Sequence, residues 1–213
     1  MLTIHHLGVS QSERIVWLCE ELALPYELVR YTRDAVTRLS PPALRQLHPL
    51  GAAPVIQDGE LMLGESAAIV DYILAKFGNG QLKPGPGQAC FADYLYWFHF
   101  ANGNLQPIML RYMTLLRTGL PADHPVIAGT MGRLQAALAL MDERLAKASY
   151  LAGEEFTAAD IMTVFSLTTM RVFQPVDLAP YPHIQAYLAR IGERAGYRRA
   201  MEICDPGMAR LLS

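Results

Sequence analysis

Residues 48–66 read HPLGAAPVIQDGELMLGES, and this stretch decides the fold. At its centre two apolar runs, PVI and LML, are joined through Asp58-Gly59. An Asp-Gly pair between apolar runs is a strong hairpin signal, because a tight turn needs positive φ and glycine accepts it. Glu65 or Ser66 then opens a helix with Ile69, Tyr72, Ile73 and Phe77 on one face. The stretch predicts an antiparallel strand pair feeding a helix.

Upstream, residues 2–7 form a short apolar run with β-branched members, a first strand. Residues 12–23 switch to helical spacing, with Ile15, Leu18, Cys19 and Leu22 in one stripe. Pro25 stops that helix, and residues 26–31 read as a second strand. A right-handed βαβ unit follows. Residues 41–47 suit a short helix. The first part of the chain, residues 1–77, is therefore expected to be an α/β domain of thioredoxin-like layout.

Downstream, residues 78–87 read GNGQLKPGPG, a linker. Residues 88–213 are expected to form an all-α domain. Residues 88–117 read as one long or kinked helical segment, with Pro107 at the kink. From Ile127, the residues Met131, Leu134, Leu138, Met141 and Leu145 form an amphipathic seam. Residues 161–172 are apolar nearly all round, which predicts a central helix. Ile184, Leu188 and Ile191 mark one more. The run FTAADI reads as a capping box, in which Thr157 and Asp160 exchange hydrogen bonds and Phe156 packs on Ile161.

Just over half of the residues are apolar, so a sizeable core is available. The net charge of −2 gives no sign of a nucleic-acid partner. No stretch reads as membrane-spanning or as a secretory signal, which suits a cytoplasmic protein with no membrane partner. Cys19, Cys90 and Cys204 are odd in number and form no CxxC, which argues against a disulfide scaffold and a thiolate metal site. His5 and His6 are adjacent on a strand, point to opposite faces and cannot chelate together.

Four segments in this order resemble the cytosolic glutathione S-transferases, and their serine-type bacterial and fungal members most. SQSERIVWL resembles the serine motif, HPLGAAPVI the loop before the third strand, GESAAIVDYI the start of the following helix, and FTAADI a capping box in the helical domain. The resemblance implies a glutathione transferase fold. It implies conjugation of glutathione to small hydrophobic electrophiles, or glutathione-dependent reduction of organic peroxides. Glutathione is then a co-substrate, no metal or redox cofactor is needed, and the protein is a homodimer. A second reading keeps the fold as a non-catalytic ligand carrier or protein-interaction module.

The resemblance assigns residues as follows. Ser10 donates to the bound sulfur and favours thiolate over thiol, with Arg14 at the usual basic position. The plain alternative is that Ser10 or Ser12 caps the first helix, Ser12 being the stronger cap. No cysteine stands at position 10, which speaks against the branches that use a cysteine nucleophile. Ala53 precedes a cis Pro54 and pairs its backbone with the cysteinyl unit of glutathione. Ser66 meets the γ-glutamyl carboxylate at a helix start, where unpaired amides favour anions, and Glu65 pairs with the ammonium. The family often carries a basic residue where this chain has Ala52, and His48 or Arg38 is the candidate replacement. Trp97, Phe98, Met109 and Tyr112 are expected to line the electrophile site, although a helix turns only one face to a cleft and most such residues are core.

Overall fold

The computed structural model describes every residue of the chain except Ala122. The chain folds into two compact units, Met1–Lys83 with Gly192–Arg210, and Pro84–Ile191 with Leu211–Ser213. The first unit holds β1 (Leu2–Leu7), α1 (Glu13–Glu21), β2 (Tyr26–Tyr31), α2 (Pro42–Arg45), β3 (Val55–Asp58), β4 (Leu61–Leu63) and α3 (Ser66–Phe77). Its sheet runs β2-β1-β3-β4. β1 lies parallel to β2 through α1, as the βαβ reading requires, and antiparallel to β3. Gly59 turns the β3–β4 hairpin at a φ of 63°. Ile4 stands opposite both Leu28 and Ile56, and it is fully buried with Ile15, Leu18, Ile69 and Ile73. These residues of β1, α1 and α3 form one core, and α1 is buried throughout Glu13–Cys19 rather than along one stripe.

The second unit holds α4 (Phe91–Phe100), α5 (Gln106–Leu116), α6 (Pro125–Leu145), α7 (Ala158–Leu167) and most of α8 (Pro182–Glu193). The break expected at Pro107 takes the form of a π-helical turn, Ala101–Leu105, between α4 and α5. Proline has no N–H for the residue four before it, so the ladder widens just upstream. Every residue of α7 is buried. Its capping box is present: Asp160 Oδ2 accepts from the Thr157 amide at 2.8 Å, and the Thr157 side chain caps the first turn.

The end of the chain departs from the expected division. Residues 88–213 read as one helical domain, but α9 (Ala195–Cys204) packs with α1 in the first unit. Arg194 grips Glu21 with two bonds of 2.9 and 2.7 Å, and Arg199 reaches Glu20 at 2.8 Å. The Trp17 and Tyr197 rings meet edge-on at 4.9 Å. Helical spacing says that a helix has an apolar face but not which surface receives it.

Candidate functional site

β1 ends at Leu7, and the turn before α1 is held from outside. Val9 adopts a φ of 52°, a region that β-branched residues rarely enter. Its amide donates to both Asp205 oxygens, at 3.1 and 3.0 Å. Arg33 donates to the Gly8 carbonyl at 3.0 Å and the Val9 carbonyl at 3.2 Å. These bonds fix the backbone that presents Ser10.

The Ser10 hydroxyl is only 6% exposed and lies 2.7 Å from both the Leu7 carbonyl and Ser12 Oγ. It accepts from the Ser12 amide at 3.3 Å. Ser12 occupies the cap position of α1, yet its side chain makes no cap bond, contrary to the expectation for it. Its Oγ instead accepts from the Leu7 amide at 3.1 Å and lies 2.8 Å from His6 Nδ1. Burial explains the exchange, because a fully buried hydroxyl takes the partners that enclose it.

The Ala53–Pro54 peptide is cis. Ala53, Pro54, Glu65, Ser66 and His48 converge on one small cleft, with Gln11 as a further wall. Ser10 does not line it, but its chain neighbour Gln11 does. The Gln11 amide donates to the Ala53 carbonyl at 3.3 Å. Ser66, the first residue of α3, is buried and accepts from Arg14 Nη1 at 3.2 Å. The same nitrogen donates to Gln11 Oε1 at 3.0 Å. Burial pushes the Arg14 guanidinium down to about 9, against the opposing effect of Glu13, and leaves it charged at neutral pH. Glu65 is exposed and sits at a φ of 66°, an uncommon conformation that clusters at ligand sites. His48 packs its ring on Gly64, where an added Cβ would come within 3.1 Å of Nε2. Arg38 lies on a different cavity, so of the two candidate replacements for a basic residue only His48 borders the cleft.

The four residues assigned to the electrophile separate in burial. Trp97 and Phe98 on α4 and Met109 on α5 are 4, 2 and 1% exposed, and only Tyr112 keeps appreciable surface. Among the described residues no three His, Cys, Asp or Glu side chains gather as a metal site, and no helix is long and apolar enough to cross a membrane. Cys19 is fully buried, and burial pushes its thiol up to about 12, which suits an apolar filler.

His6 is a site residue that sequence reasoning misses. Strand alternation gives His5 to Tyr31, at 3.0 Å, and turns His6 the other way to Ser12. The alternation itself is legible, but a partner six residues away beyond a turn is not.

Models of known families match both parts of the chain: the glutathione S-transferase N-terminal domain over residues 5–82 and the glutathione S-transferase C-terminal domain over residues 106–195. Glutathione S-transferase 3 of Schizosaccharomyces pombe is 30% identical, covering 100% of this chain and 92% of that protein. A crystal structure of a glutathione S-transferase from Actinobacillus pleuropneumoniae superposes with a TM-score of 0.88 at 30% identity, covering 100% of this chain and 99% of the other. A theta-class glutathione S-transferase from Xanthomonas axonopodis pv. citri, solved with glutathione bound, gives a TM-score of 0.72 at 29% identity, with 93 and 96% covered.

Proposed function

This chain belongs to the glutathione S-transferase family, and on that premise we propose that its cleft holds glutathione with the sulfur beside Ser10. The observation that carries the reading is the convergence of Ala53, Pro54, Glu65, Ser66 and His48 on one cleft, walled by the residue next to Ser10. The γ-glutamyl carboxylate meets Ser66 at the start of α3, where helix amides favour an anion and Arg14 adds charge behind the hydroxyl. The exposed Glu65 carboxylate takes the ammonium. His48 serves the glycyl end, where Ala52 offers no charge.

A glutathione thiol ionises near ~8.5, and each unit of depression needs about 1.4 kcal/mol. One hydrogen bond to a charged acceptor supplies roughly 1.5–3 kcal/mol, so the Ser10 hydroxyl lowers the thiol by one or two units. The thiolate then attacks a small hydrophobic electrophile and forms a thioether with loss of the leaving group, or reduces an organic peroxide to an alcohol while its own sulfur is oxidised to the sulfenic acid, which a second glutathione converts to the disulfide. Ser10 itself forms no covalent bond. Under this reading the enzyme is a cytoplasmic homodimer, needs no metal or redox cofactor, and has neither nucleic acid nor membrane as partner.

The test is Ser10→Ala. Glutathione still binds, the apparent pKa of the bound thiol rises, and turnover of a generic aryl halide falls roughly 10- to 100-fold, the loss of one charge-assisted bond. An unchanged pH–rate profile would remove Ser10 from the chemistry. Ala52 favours the second reading, a ligand carrier, since it is exposed and uncharged at the glycyl end. Retention on glutathione resin without turnover of any electrophile on a broad panel would support the carrier.

A further inference from the structure

Behind Ser10 runs a continuous polar chain. Ser10 Oγ lies 2.7 Å from Ser12 Oγ, which lies 2.8 Å from His6 Nδ1. The other ring nitrogen, Nε2, is buried and stands 3.8 Å from Asp205 Oδ2. The gap between the two borders a cavity of about 310 Å³. His6 is fully buried, and so is Ser12. A chain of hydroxyls ending on an imidazole has two directions, because each hydroxyl carries one hydrogen.

With neutral His6 protonated at Nε2, facing Asp205, Nδ1 is an acceptor. Ser12 then donates to Nδ1, and Ser10 donates inward, to Ser12 or to the Leu7 carbonyl. In this arrangement the Ser10 hydrogen points inward, away from a ligand sulfur. With hydrogen on both ring nitrogens the chain reverses. Nδ1–H donates to Ser12 Oγ, Ser12 donates to Ser10 Oγ, and the Ser10 hydrogen points outward. The reversed chain aims the Ser10 hydrogen at a ligand sulfur; a neutral His6 carrying its hydrogen on Nδ1 aims it the same way, but only the Nε2–H form can take up a proton through the chain.

We propose that His6, acting through Ser12 and Ser10 and paired with Asp205, takes up the proton that bound glutathione loses and thereby turns the Ser10 hydrogen onto the thiolate. This rests on the placement of glutathione beside Ser10 argued above. In the step, the S–H bond breaks and its proton goes to Ser10 Oγ. The Ser10 proton passes to Ser12, and the Ser12 proton passes to Nδ1. One S–H bond is lost and one N–H bond is gained. The products are a thiolate and an imidazolium facing the Asp205 carboxylate, and no oxidant or other reactant is required. His6 touches no substrate and is a positioning residue.

The surroundings suit the role. Burial lowers the His6 pKa, aided by the positive charges of Arg30 on β2 and Arg33 beyond it. Asp205 and the Cys204 carbonyl, at the end of α9, work in the opposite direction. Ligand-free His6 is therefore neutral at pH 7 and able to accept. A thiolate placed at Ser10 adds the negative charge that favours the imidazolium.

The test is nitrogen NMR of histidine-labelled full-length protein. At pH 7, glutathione is expected to move the His6 pair to the imidazolium pattern, whereas S-methylglutathione, which has no thiol proton, leaves it neutral. An indicator dye is expected to show well under one proton released for each thiolate formed, the thiolate being read by its ultraviolet band. His6→Leu raises the bound thiol's apparent pKa by about one unit and lowers kcat/KM about tenfold below that pKa, with the glutathione KM little changed. His6→Asn, whose amide can donate where Nδ1–H did, recovers turnover but releases a full proton. A neutral His6 beside a formed thiolate in the wild-type protein would overturn the inference, even if the leucine variant does not fold. A folded His6→Leu variant that keeps the pH–rate limb in place would overturn it too. Absence of any thiolate in the wild-type complex would instead sink the placement of glutathione, and a Ser10→Ala variant of normal pH profile would do so as well.

Discussion

The side-chain amide of Gln11 donates to the carbonyl oxygen of Ala53 at 3.3 Å, while its own oxygen accepts from Arg14 at 3.0 Å. One side chain thus ties the turn carrying Ser10 to the cis-proline loop and to the buried guanidinium. Gln11→Ala removes a charge-assisted bond and is expected to cost about 1.5–3 kcal/mol. For a chain of this size that lowers Tm by roughly 3–12 °C, measurable by calorimetry. Glutathione affinity should fall less than in Ser66→Ala, because the Ala53 carbonyl is freed rather than lost. Equal or greater loss in the glutamine variant would assign Gln11 a direct ligand contact.

Gly196 carries a packing prediction. An added Cβ would lie 2.7 Å from Glu21 Cδ, inside contact distance. Glu21 also accepts from Trp17 Nε1 at 2.8 Å and holds Arg194 with two bonds. Gly196→Ala must therefore displace the carboxylate on which α9 is anchored. We expect a loss of about 1–3 kcal/mol in urea unfolding, against the gain of about 1 kcal/mol that alanine gives in an open helix site. Stabilisation by this substitution would show that α9 shifts without strain.

Asp160 does more than cap α7. Its Oδ1 accepts from the Leu151 amide at 3.1 Å and from Tyr187 Oη at 3.0 Å, and its Oδ2 accepts from the Thr157 amide. Burial, only partly offset by these bonds, pushes the carboxyl up to about 6. Asp160→Ala strands four buried donors, the Thr157 hydroxyl included, and should cost about 3–5 kcal/mol, a loss visible in chemical denaturation. Asp160→Asn keeps an acceptor and should lose less than half of that. Equal costs for the two variants would show that charge, not acceptor geometry, is what the site requires.

His6 gives a pH dependence in the ligand-free protein. Its folded pKa lies below 6.5, chiefly through burial. The unfolded chain therefore binds more protons than the native state as pH falls below 6.5. The stability that this group contributes is present above 6.5 and declines as pH drops toward the folded value. His5, also lowered by burial, adds in the same direction. Asp160, raised to about 6, works in the opposite direction, so the readout is the difference between proteins: between pH 7.5 and 5, unfolding free energies of His6→Leu should fall less than those of the wild type. A slope unchanged in that variant would place the titration elsewhere.

Much of this protein was legible from residue order alone. β1 and β2 occupy the residues that the apolar runs indicated, and the Asp58-Gly59 turn produced its hairpin. These signals are local: strand alternation, helical spacing, turn chemistry and the Thr157–Asp160 exchange all act within a few residues. The same locality set Ser66 at a helix start and Pro54 at a strand start. The order of four motifs was enough to fix the family.

The tertiary structure alone decided where those residues meet. Ser12 reads as a cap, but enclosure gave its hydroxyl to His6. His6 reads as one of two strand histidines, but Asp205, far along the chain, stands 3.8 Å from its outer nitrogen. The helix preceding Asp205 reads as part of a helical domain, but Arg199 on it and Arg194 just before it close onto Glu20 and Glu21 of α1. Trp97, Phe98 and Met109 read equally well as cleft or core, and burial put them in the core. Each of these outcomes depends on which surfaces exclude water together. That is settled by the packing of distant segments, on which the spacing of neighbours carries no information.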